Sequence, residues 1–269
     1  MHVAALQMVS GQSVAENLAT ARRLLEQAAA KGATLAVLPE YFCLMGQHDG
    51  DKLAWAEPLG EGPIQAFLAT AARELGVWVV GGTLPVATDD PHRVANSTLV
   101  FNPKGERVAR YDKIHLFRFD NGRERYDEAA VLRAGTEPVA FELPVPGTDR
   151  TLRVGLSVCY DLRFPELYRR LGADLLLVPA AFTHTTGRAH WEVLLRARAI
   201  ENQAFVLASA QGGTHANGRQ TWGHSLVVNP WGEVLAVQDS GEGVVLAPLD
   251  VAELDAVRTR LPALRHRVF

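Results

Sequence analysis

Residues 97–111 read STLVFNPKGERVARY, and residues 225–237, SLVVNPWGEVLAV, repeat this pattern almost residue for residue. Each stretch holds two strand-like segments around an Asn-Pro-x-Gly turn, in which Pro presets φ and Gly tolerates a positive φ. Chance recurrence of a common turn is the alternative, and it stays open at this point. A repeated hairpin favours a chain built from two similar halves.

Apolar runs and helical patterns surround the first hairpin. Residues 3–8, 34–38 and 77–80 are strand-like, and residues 13–31 and 64–75 are typical of amphipathic helices, with Ser13 as an N-cap. The run AVLP at 36–39 returns as LLVP at 176–179. Two sheets packed face to face, with helices outside, would bury such strands. We therefore predict an α/β fold, a four-layer α-β-β-α sandwich with two mixed sheets and internal pseudo-two-fold symmetry.

The bulk composition is that of a globular protein. The chain has 269 residues, 48% of them hydrophobic and 21% charged, and we predict one domain over residues 1–269. A formal net charge of -3 argues against a nucleic-acid partner. No apolar stretch approaches the roughly 20 residues that cross a bilayer, so we expect no membrane partner. Two cysteines and an N-terminus unlike a signal peptide favour a cytoplasmic location.

Cys159 lies in the segment RVGLSVCYDLRFPE (153–166), which predicts a strand, a tight turn and a helix from about Pro165. A thiol at such a junction projects from the edge of the sheet, where the positive end of a helix favours the thiolate. A free thiol with a pKa of about 8.5 is mostly protonated at neutral pH, so a nucleophilic cysteine still needs a base. The alternative is a small buried side chain without a chemical role.

Three charged residues are candidates for the groups that assist such a thiol. Glu40 directly follows an apolar strand, at the kind of sheet end where α/β sites are built, and a carboxylate there is a candidate base. Lys113 follows the first hairpin and could stabilise an oxyanion. The alternatives are a solvated loop glutamate and a surface lysine paired with Asp112. Glu128 has charged neighbours, which is typical of a solvated loop.

Together the three segments resemble the signature motifs of the nitrilase, or carbon–nitrogen hydrolase, superfamily, in the same order: LPE (38–40), YDKIHL (111–116) and SVCYDLRFPE (157–166). The likeness extends over nearly the whole chain. It implies the four-layer sandwich, a Glu40-Lys113-Cys159 triad and hydrolysis of a non-peptide C–N bond through a thioester, without a cofactor. It also implies Glu128 as a second glutamate, the backbone N–H of Tyr160 as an oxyanion donor, and a homodimer or larger homo-oligomer.

Two further segments are similar to particular branches of this family. Residues 189–201, AHWEVLLRARAIE, look like the amidases that act on ω-amides of small keto acids and on deaminated glutathione. Residues 209–215 and 261–267 look closer to the deaminated-glutathione amidases. The resemblance favours a small anionic amide as substrate, with His190 and Trp191 near it. The alternative for that helix is plain packing against the sheet.

Arg163 lies four residues after the cysteine, where a guanidinium could hold a substrate carboxylate in a bidentate pair. A salt bridge to Glu166 or another acid is the alternative. The nine histidines are scattered without HExxH-like spacing, so we expect no metal. A nitrilase or N-carbamoyl amine hydrolase with the same triad remains a rival interpretation, as does a binding protein on this fold that has lost catalysis.

Overall fold

The computed structural model describes residues 1–268. Its strands are β1 His2–Gln7, β2 Leu35–Val37, β3 Trp78–Val80, β4 Leu84–Ala87, β5 Val94–Phe101, β6 Arg107–Asp112, β7 Arg118–Asp120, β8 Arg125–Asp127, β9 Leu132–Arg133, β10 Ala140–Pro144, β11 Thr151–Leu156, β12 Leu175–Ala180, β13 Phe205–Ala210, β14 Gly212–Thr214, β15 Gln220–Trp222, β16 Ser225–Val228, β17 Val234–Gln238 and β18 Gly243–Pro248. Its α-helices are α1 Val14–Ala30, α2 Asp51–Ala54, α3 Pro63–Leu75, α4 Pro165–Leu171, α5 His184–Asn202 and α6 Val251–Arg260. Short 3₁₀ helices span Glu128–Ala130, Cys159–Arg163 and Ala263–Arg265.

The two large sheets share one pattern of strand directions. The first has the order β18-β1-β2-β3-β5-β4, with β6 and β9 also paired to β5, and the second has the order β10-β11-β12-β13-β16-β17. Each has three parallel strands at its centre, β1-β2-β3 or β11-β12-β13, with antiparallel strands on both sides. The predicted mixed sheets and their internal repeat are confirmed.

Alternating side chains let the first sheet face two cores at once, because successive residues of a strand point to opposite faces. Val3 and Ala5 of β1 lie in the core shared with the second sheet. Ala4 and Leu6 lie in the core beneath α1 and α3. On the far side, α4 and α5 pack against the second sheet. The layers therefore follow the predicted α-β-β-α order.

The repeated hairpins have the same local geometry. In the β5–β6 turn, Oδ1 of Asn102 accepts hydrogen bonds from the backbone N–H groups two and four residues later, at 2.9 and 3.1 Å. Asn229 does the same in the β16–β17 turn, at 3.0 and 2.8 Å. Gly105 and Gly232 hold φ values of 77° and 90°, and each ladder is irregular beside its turn. The two hairpins are equivalent parts of the two halves, so chance recurrence is excluded.

The predicted N-terminal helices are confirmed with small changes of boundary. Ser13 caps α1 by accepting a hydrogen bond from the backbone N–H of Glu16 at 3.3 Å, and α3 ends at Gly76, which has a φ of 66°. The short hairpins β7–β8 and β14–β15 were not predicted. Strands of three residues are too short for alternation to reveal them.

The backbone at Gly82 lies close to the backbone that follows β2, and a substitution at Gly82 tests this contact. Gly82 has a φ of 46°, and an added Cβ would overlap the carbonyl oxygen of Pro39 and lie 2.7 Å from that of Leu38. We expect Gly82→Ala to lower the free energy of unfolding by about 2–4 kcal/mol, from backbone strain and overpacking. Urea unfolding measures the change. The control is Gly50→Ala, where nothing lies within 4 Å of an added Cβ. Equal stability of the two variants would contradict the proposed contact.

Candidate active site

A narrow pocket opens at the carboxyl ends of β2, β11 and β12. Glu40 reaches it from the turn after β2, Cys159 from the turn after β11, and Ala181 from the residue after β12. Glu128 completes this polar side of the lining. Glu40, Glu128 and Cys159 therefore share one cavity, which we call the nucleophile pocket, and Lys113 does not line it but binds both glutamates.

Cys159 begins the 3₁₀ turn Cys159–Arg163 and has a φ of 50°, which is rare for a residue other than glycine. Strained backbone of this kind is held in place only by its surroundings and is frequent at functional sites. Burial, together with the negative charge of Glu40, raises the pKa of the Cys159 thiol well above its usual range. The expected preference for a thiolate at the helix end is therefore outweighed, and the resting group is a neutral thiol beside a carboxylate.

Glu40 is buried, and each of its carboxylate oxygens has a partner. Oε1 accepts hydrogen bonds from Nδ2 of Asn96 at 3.0 Å and from Nζ of Lys113 at 2.8 Å. Oε2 accepts one from the backbone N–H of Ala181 at 2.9 Å. These donors come from both sheets, so the carboxylate is fixed where the two sheets meet. The solvated-loop alternative does not apply to Glu40.

Lys113 lies between two carboxylates with its side chain fully buried. Its Nζ is 2.8 Å from Oε1 of Glu40 and 2.8 Å from Oε2 of Glu128. Burial by itself would lower the pKa of Lys113, but the charges of Glu128 and Glu40 outweigh it and hold that pKa above its ordinary value. The residue is therefore a permanent cation. The alternative pairing with Asp112 is excluded, because Asp112 binds Arg110 at 2.8 Å.

Glu128 is only 11% exposed at its side chain, so it is no solvated loop residue. It accepts hydrogen bonds from the hydroxyl of Tyr41 at 2.9 Å and from the backbone N–H of Phe117 at 2.7 Å. Burial opposes its ionisation, but the adjacent Lys113 ammonium and these donors lower the pKa of Glu128 below its usual value. Glu128 thus carries a negative charge that holds Lys113 in place.

Asp161 ties the turn of the cysteine to the strand that leads to Lys113. Its fully buried carboxylate accepts hydrogen bonds from the backbone N–H of Val158 at 2.8 Å and from the hydroxyl of Tyr111 at 2.6 Å. The other oxygen contacts the backbone N–H of His115 at 3.0 Å and its Nδ1 at 2.7 Å. One carboxylate therefore joins two of the three motif segments.

Of the residues expected near a substrate, only Tyr160 lines the nucleophile pocket. The guanidinium of Arg163 lies over the rings of Tyr160 and Phe182, 5.7 and 5.2 Å from their centroids. The alternative ion pair with Glu166 has no counterpart among the ion pairs of residues 1–268. Arg163 therefore packs behind the pocket wall formed by these two rings.

His190 and Trp191 do not line the pocket, which corrects the expectation that they contact the substrate. Trp191 faces the sheet, is fully buried, and donates its indole N–H to the carbonyl of His224 at 2.8 Å. It packs on Phe182, with ring centroids 5.0 Å apart. His190, one position earlier, is exposed, with Nδ1 3.3 Å from a guanidinium nitrogen of Arg163. Trp191 therefore packs against the sheet, which was the alternative interpretation of its helix.

The sequence analysis missed the residues that orient the charged groups. Asn96 lies inside β5 and Tyr41 in the turn after β2, and each binds one of the two glutamates. Arg219 lines the pocket from the β14–β15 hairpin. Of these three residues only Asn96 had a local signal, because it is a polar residue within an apolar strand. The other two lie in loops whose path depends on distant contacts.

Comparison with known proteins identifies the family of this chain. The model of the carbon-nitrogen hydrolase family matches residues 2–259. The deaminated glutathione amidase of Synechocystis sp. is 41% identical over 99% of this chain and 97% of its own length. The omega-amidase of Xenopus tropicalis is 38% identical over 94% of this chain and 89% of its own length.

A solved structure extends the likeness to three dimensions. The NitFhit protein of Caenorhabditis elegans superposes with a TM-score of 0.89 and 37% identity, over 99% of this chain and 65% of that one. The chain belongs to the carbon–nitrogen hydrolase family, and it is a hydrolase of C–N bonds other than peptide bonds. Its relatives at 38% and 41% identity are named as amidases. No helix of residues 1–268 is long and apolar enough to cross a membrane.

The two cysteines differ in a way that alkylation and mutation can test. Both are buried, but Cys159 lines the nucleophile pocket, whereas Cys43 packs in the core under α1 and α3 and burial raises its pKa to about 12. We expect iodoacetamide to modify Cys159 first, as read by peptide mass spectrometry. Cys159→Ala should abolish turnover, while Cys43→Ala should keep it. Equal losses of activity in the two variants would exclude Cys159 as the nucleophile.

Proposed function

We propose that this protein is a cysteine-dependent amidase for small anionic amides, with deaminated glutathione as its preferred substrate. The observation that carries the proposal is that the Cys159 thiol and Glu40 line one pocket, with the Lys113 ammonium held between Glu40 and Glu128. Such a cluster supplies a base and a cation without a metal or an organic cofactor. The proposed roles are Cys159 as nucleophile, Glu40 as general base and Lys113 as oxyanion stabiliser.

Acylation begins when Glu40 takes the proton of the Cys159 thiol as the sulfur attacks the amide carbonyl. The carbonyl oxygen becomes an oxyanion, which the Lys113 ammonium and the backbone N–H of Tyr160 stabilise. The two glutamates occupy two of the three ammonium donors and leave a third for this oxygen. The C–N bond then breaks, and Glu40 returns its proton to the leaving amine. The product of this stage is a thioester on Cys159.

Deacylation uses the same groups in the same order. Glu40 takes a proton from water, the resulting hydroxide attacks the thioester, and Lys113 again stabilises the oxyanion. Collapse of this intermediate breaks the C–S bond, releases the carboxylic acid and returns a proton to the sulfur. Glu128 keeps Lys113 ionised and in position throughout, because it remains a buried carboxylate 2.8 Å from Nζ.

The substrate preference is supported by the relatives and by charge. Deaminated glutathione is the keto-acid analogue of glutathione, an α-ketoglutaryl group joined through its side-chain carboxyl to cysteinylglycine. The relative that is 41% identical is named for this compound. The relative from Xenopus tropicalis, an omega-amidase, favours α-ketoglutaramate as the second candidate. Arg163 does not line the nucleophile pocket, so the expected pairing of its guanidinium with a substrate carboxylate is not part of this proposal.

We also propose that the protein is cytoplasmic and forms a homodimer. Residues 1–269 form one hydrolase domain in this proposal. Support for the dimer comes from apolar residues left exposed on the second half of the fold: Val193 and Ile200 on α5, Leu235 and Val237 on the edge strand β17. An exposed apolar face of this kind marks an association surface. Light scattering after size-exclusion chromatography decides the assembly, and a monomer at working concentrations would contradict it.

Lys113→Met tests the oxyanion role. We expect kcat to fall by about 10²–10³-fold or more, because removal of one such donor costs that much in other enzymes. The variant also leaves two carboxylates without their cation, so the fraction folded at the assay temperature must be measured by circular dichroism. The matched control is Lys104→Met, at an exposed lysine in the β5–β6 turn, which should keep wild-type kcat. A folded Lys113→Met enzyme with near-normal kcat would refute the role.

A substrate panel tests the proposed activity. We expect the highest kcat/KM for deaminated glutathione, measured as release of cysteinylglycine, followed by α-ketoglutaramate, measured as release of ammonia. Simple aliphatic amides, N-carbamoyl amines and nitriles should be poor substrates, and EDTA should not inhibit. A nitrile or an N-carbamoyl amine as best substrate would refute the amidase assignment. Release of nothing from any compound would favour a binding protein on this fold.

A further inference from the structure

A second cavity, which we call the outer cleft, adjoins the nucleophile pocket. It holds about 720 Å³ of empty space, and its lining includes Arg125, Tyr126, Asn217 and Arg219. Arg219 also lines the nucleophile pocket, so the two cavities meet at this side chain. A ligand that extends beyond the nucleophile pocket on this side must pass the guanidinium of Arg219.

Arg219 is a partly buried cation. None of the carboxylates within residues 1–268 forms an ion pair with it. Its Nε is buried and has no hydrogen-bond partner in that part of the chain. The guanidinium lies over the ring of Tyr126, 4.8 Å from the centroid. A buried donor without an acceptor costs free energy, so a ligand oxygen that reached Nε would satisfy it.

The hairpin that carries Arg219 is held in place independently of any ligand. Burial lowers the pKa of His215, so its ring is neutral. Its Nδ1 donates to the carbonyl of Ser10 and its Nε2 accepts from the hydroxyl of Thr221, both at 2.8 Å. Asn217 donates to the carbonyl of Gly46 at 2.6 Å. Such preorganisation means that little conformational freedom is lost when Arg219 binds a ligand.

The charge of the outer cleft also favours an anion. Three basic side chains, Lys52, Arg125 and Arg219, line it with one carboxylate, Asp49. Lys52 and Asp49 neutralise each other across 3.0 Å. The two arginines remain, and a planar guanidinium suits a carboxylate because it binds both oxygens at once.

We propose that the outer cleft binds the amine half of the substrate and that Arg219 pairs with a carboxylate on that half. This inference deepens the proposed function and rests on it. The scissile carbonyl must lie at Cys159, so a substrate with substituents on both sides of the amide cannot remain within the nucleophile pocket. Arg219 lines both cavities, so it is placed to meet the part of the substrate that extends from the nucleophile pocket into the outer cleft. The substrate class is therefore a secondary amide with an anionic, peptide-like amine.

The test compares two amides that share the α-ketoglutaryl acyl group. One carries cysteinylglycine with its free carboxylate, and the other carries cysteinylglycine amide, which lacks that charge. In the wild type we expect kcat/KM for the acid to exceed that for the amide by about 10–100-fold, as for a charge-assisted hydrogen bond. Arg219→Gln should bring this ratio close to one, and Arg219→Lys should restore part of it. Arg123→Gln, at an exposed arginine of the β7–β8 turn, is the matched control and should keep the wild-type ratio.

The outcomes separate this inference from the proposed function. If the wild type cleaves both amides with equal kcat/KM, the subsite is refuted and the amidase assignment stands. If Arg219→Gln lowers kcat/KM for the acid and the amide by the same factor, Arg219 serves the acyl half or the fold, and the subsite is again refuted. If the wild type cleaves neither compound but hydrolyses another class of amide or nitrile, both the proposed function and the subsite fail.

Discussion

The burial of one ammonium group governs the arrangement of this site. Taking Lys113 out of water costs several kcal/mol unless anions compensate it, and removal of one partner from such a cluster is strongly destabilising. Glu40 and Glu128 supply that compensation from segments 73 and 15 residues away. The turn after β2, the end of β6 and the loop before β9 must therefore converge. Asn96, Tyr41 and the backbone of Ala181 and Phe117 then satisfy the remaining carboxylate lone pairs.

The same cluster explains why the resting cysteine is a thiol. Burial disfavours an anion on Cys159, and the negative charge of Glu40 adds to this effect. When Glu40 takes the proton of the thiol during attack, Glu40 loses its negative charge as a new one forms, so the total charge of the site does not change. The negative charge then develops on the substrate oxygen, next to Lys113. This arrangement favours the transition state over the resting thiolate.

These groups meet at the junction between the two similar halves of the fold. Each half contributes three parallel strands whose carboxyl ends carry the polar turns, with Glu40 after β2 in one half and Cys159 after β11 in the other. Face-to-face packing of the sheets brings the two turns together. Positive φ values at Tyr41 and Cys159, 58° and 50°, are held by this packing. Asp161 strengthens the junction through its bonds to Tyr111 and Val158.

The sequence by itself determined the layers, the repeated hairpin and the identity of Cys159, Glu40 and Lys113 as one group. The apolar runs and the Asn-Pro-x-Gly turns are local properties, and the resemblance of the motifs to a known family groups the three residues, so all of these can be recognised without a structure. Only the tertiary structure decided which neighbours of those residues contact the pocket. In the structure Trp191 points towards the core and His190 towards solvent. Glu128 lies beside Lys113, and Nε of Arg219 has no hydrogen-bond partner within residues 1–268. Side-chain direction and charge pairing depend on contacts between segments far apart in the chain, such as Gln211 with Ser10, which are 201 residues apart. No local pattern records such contacts.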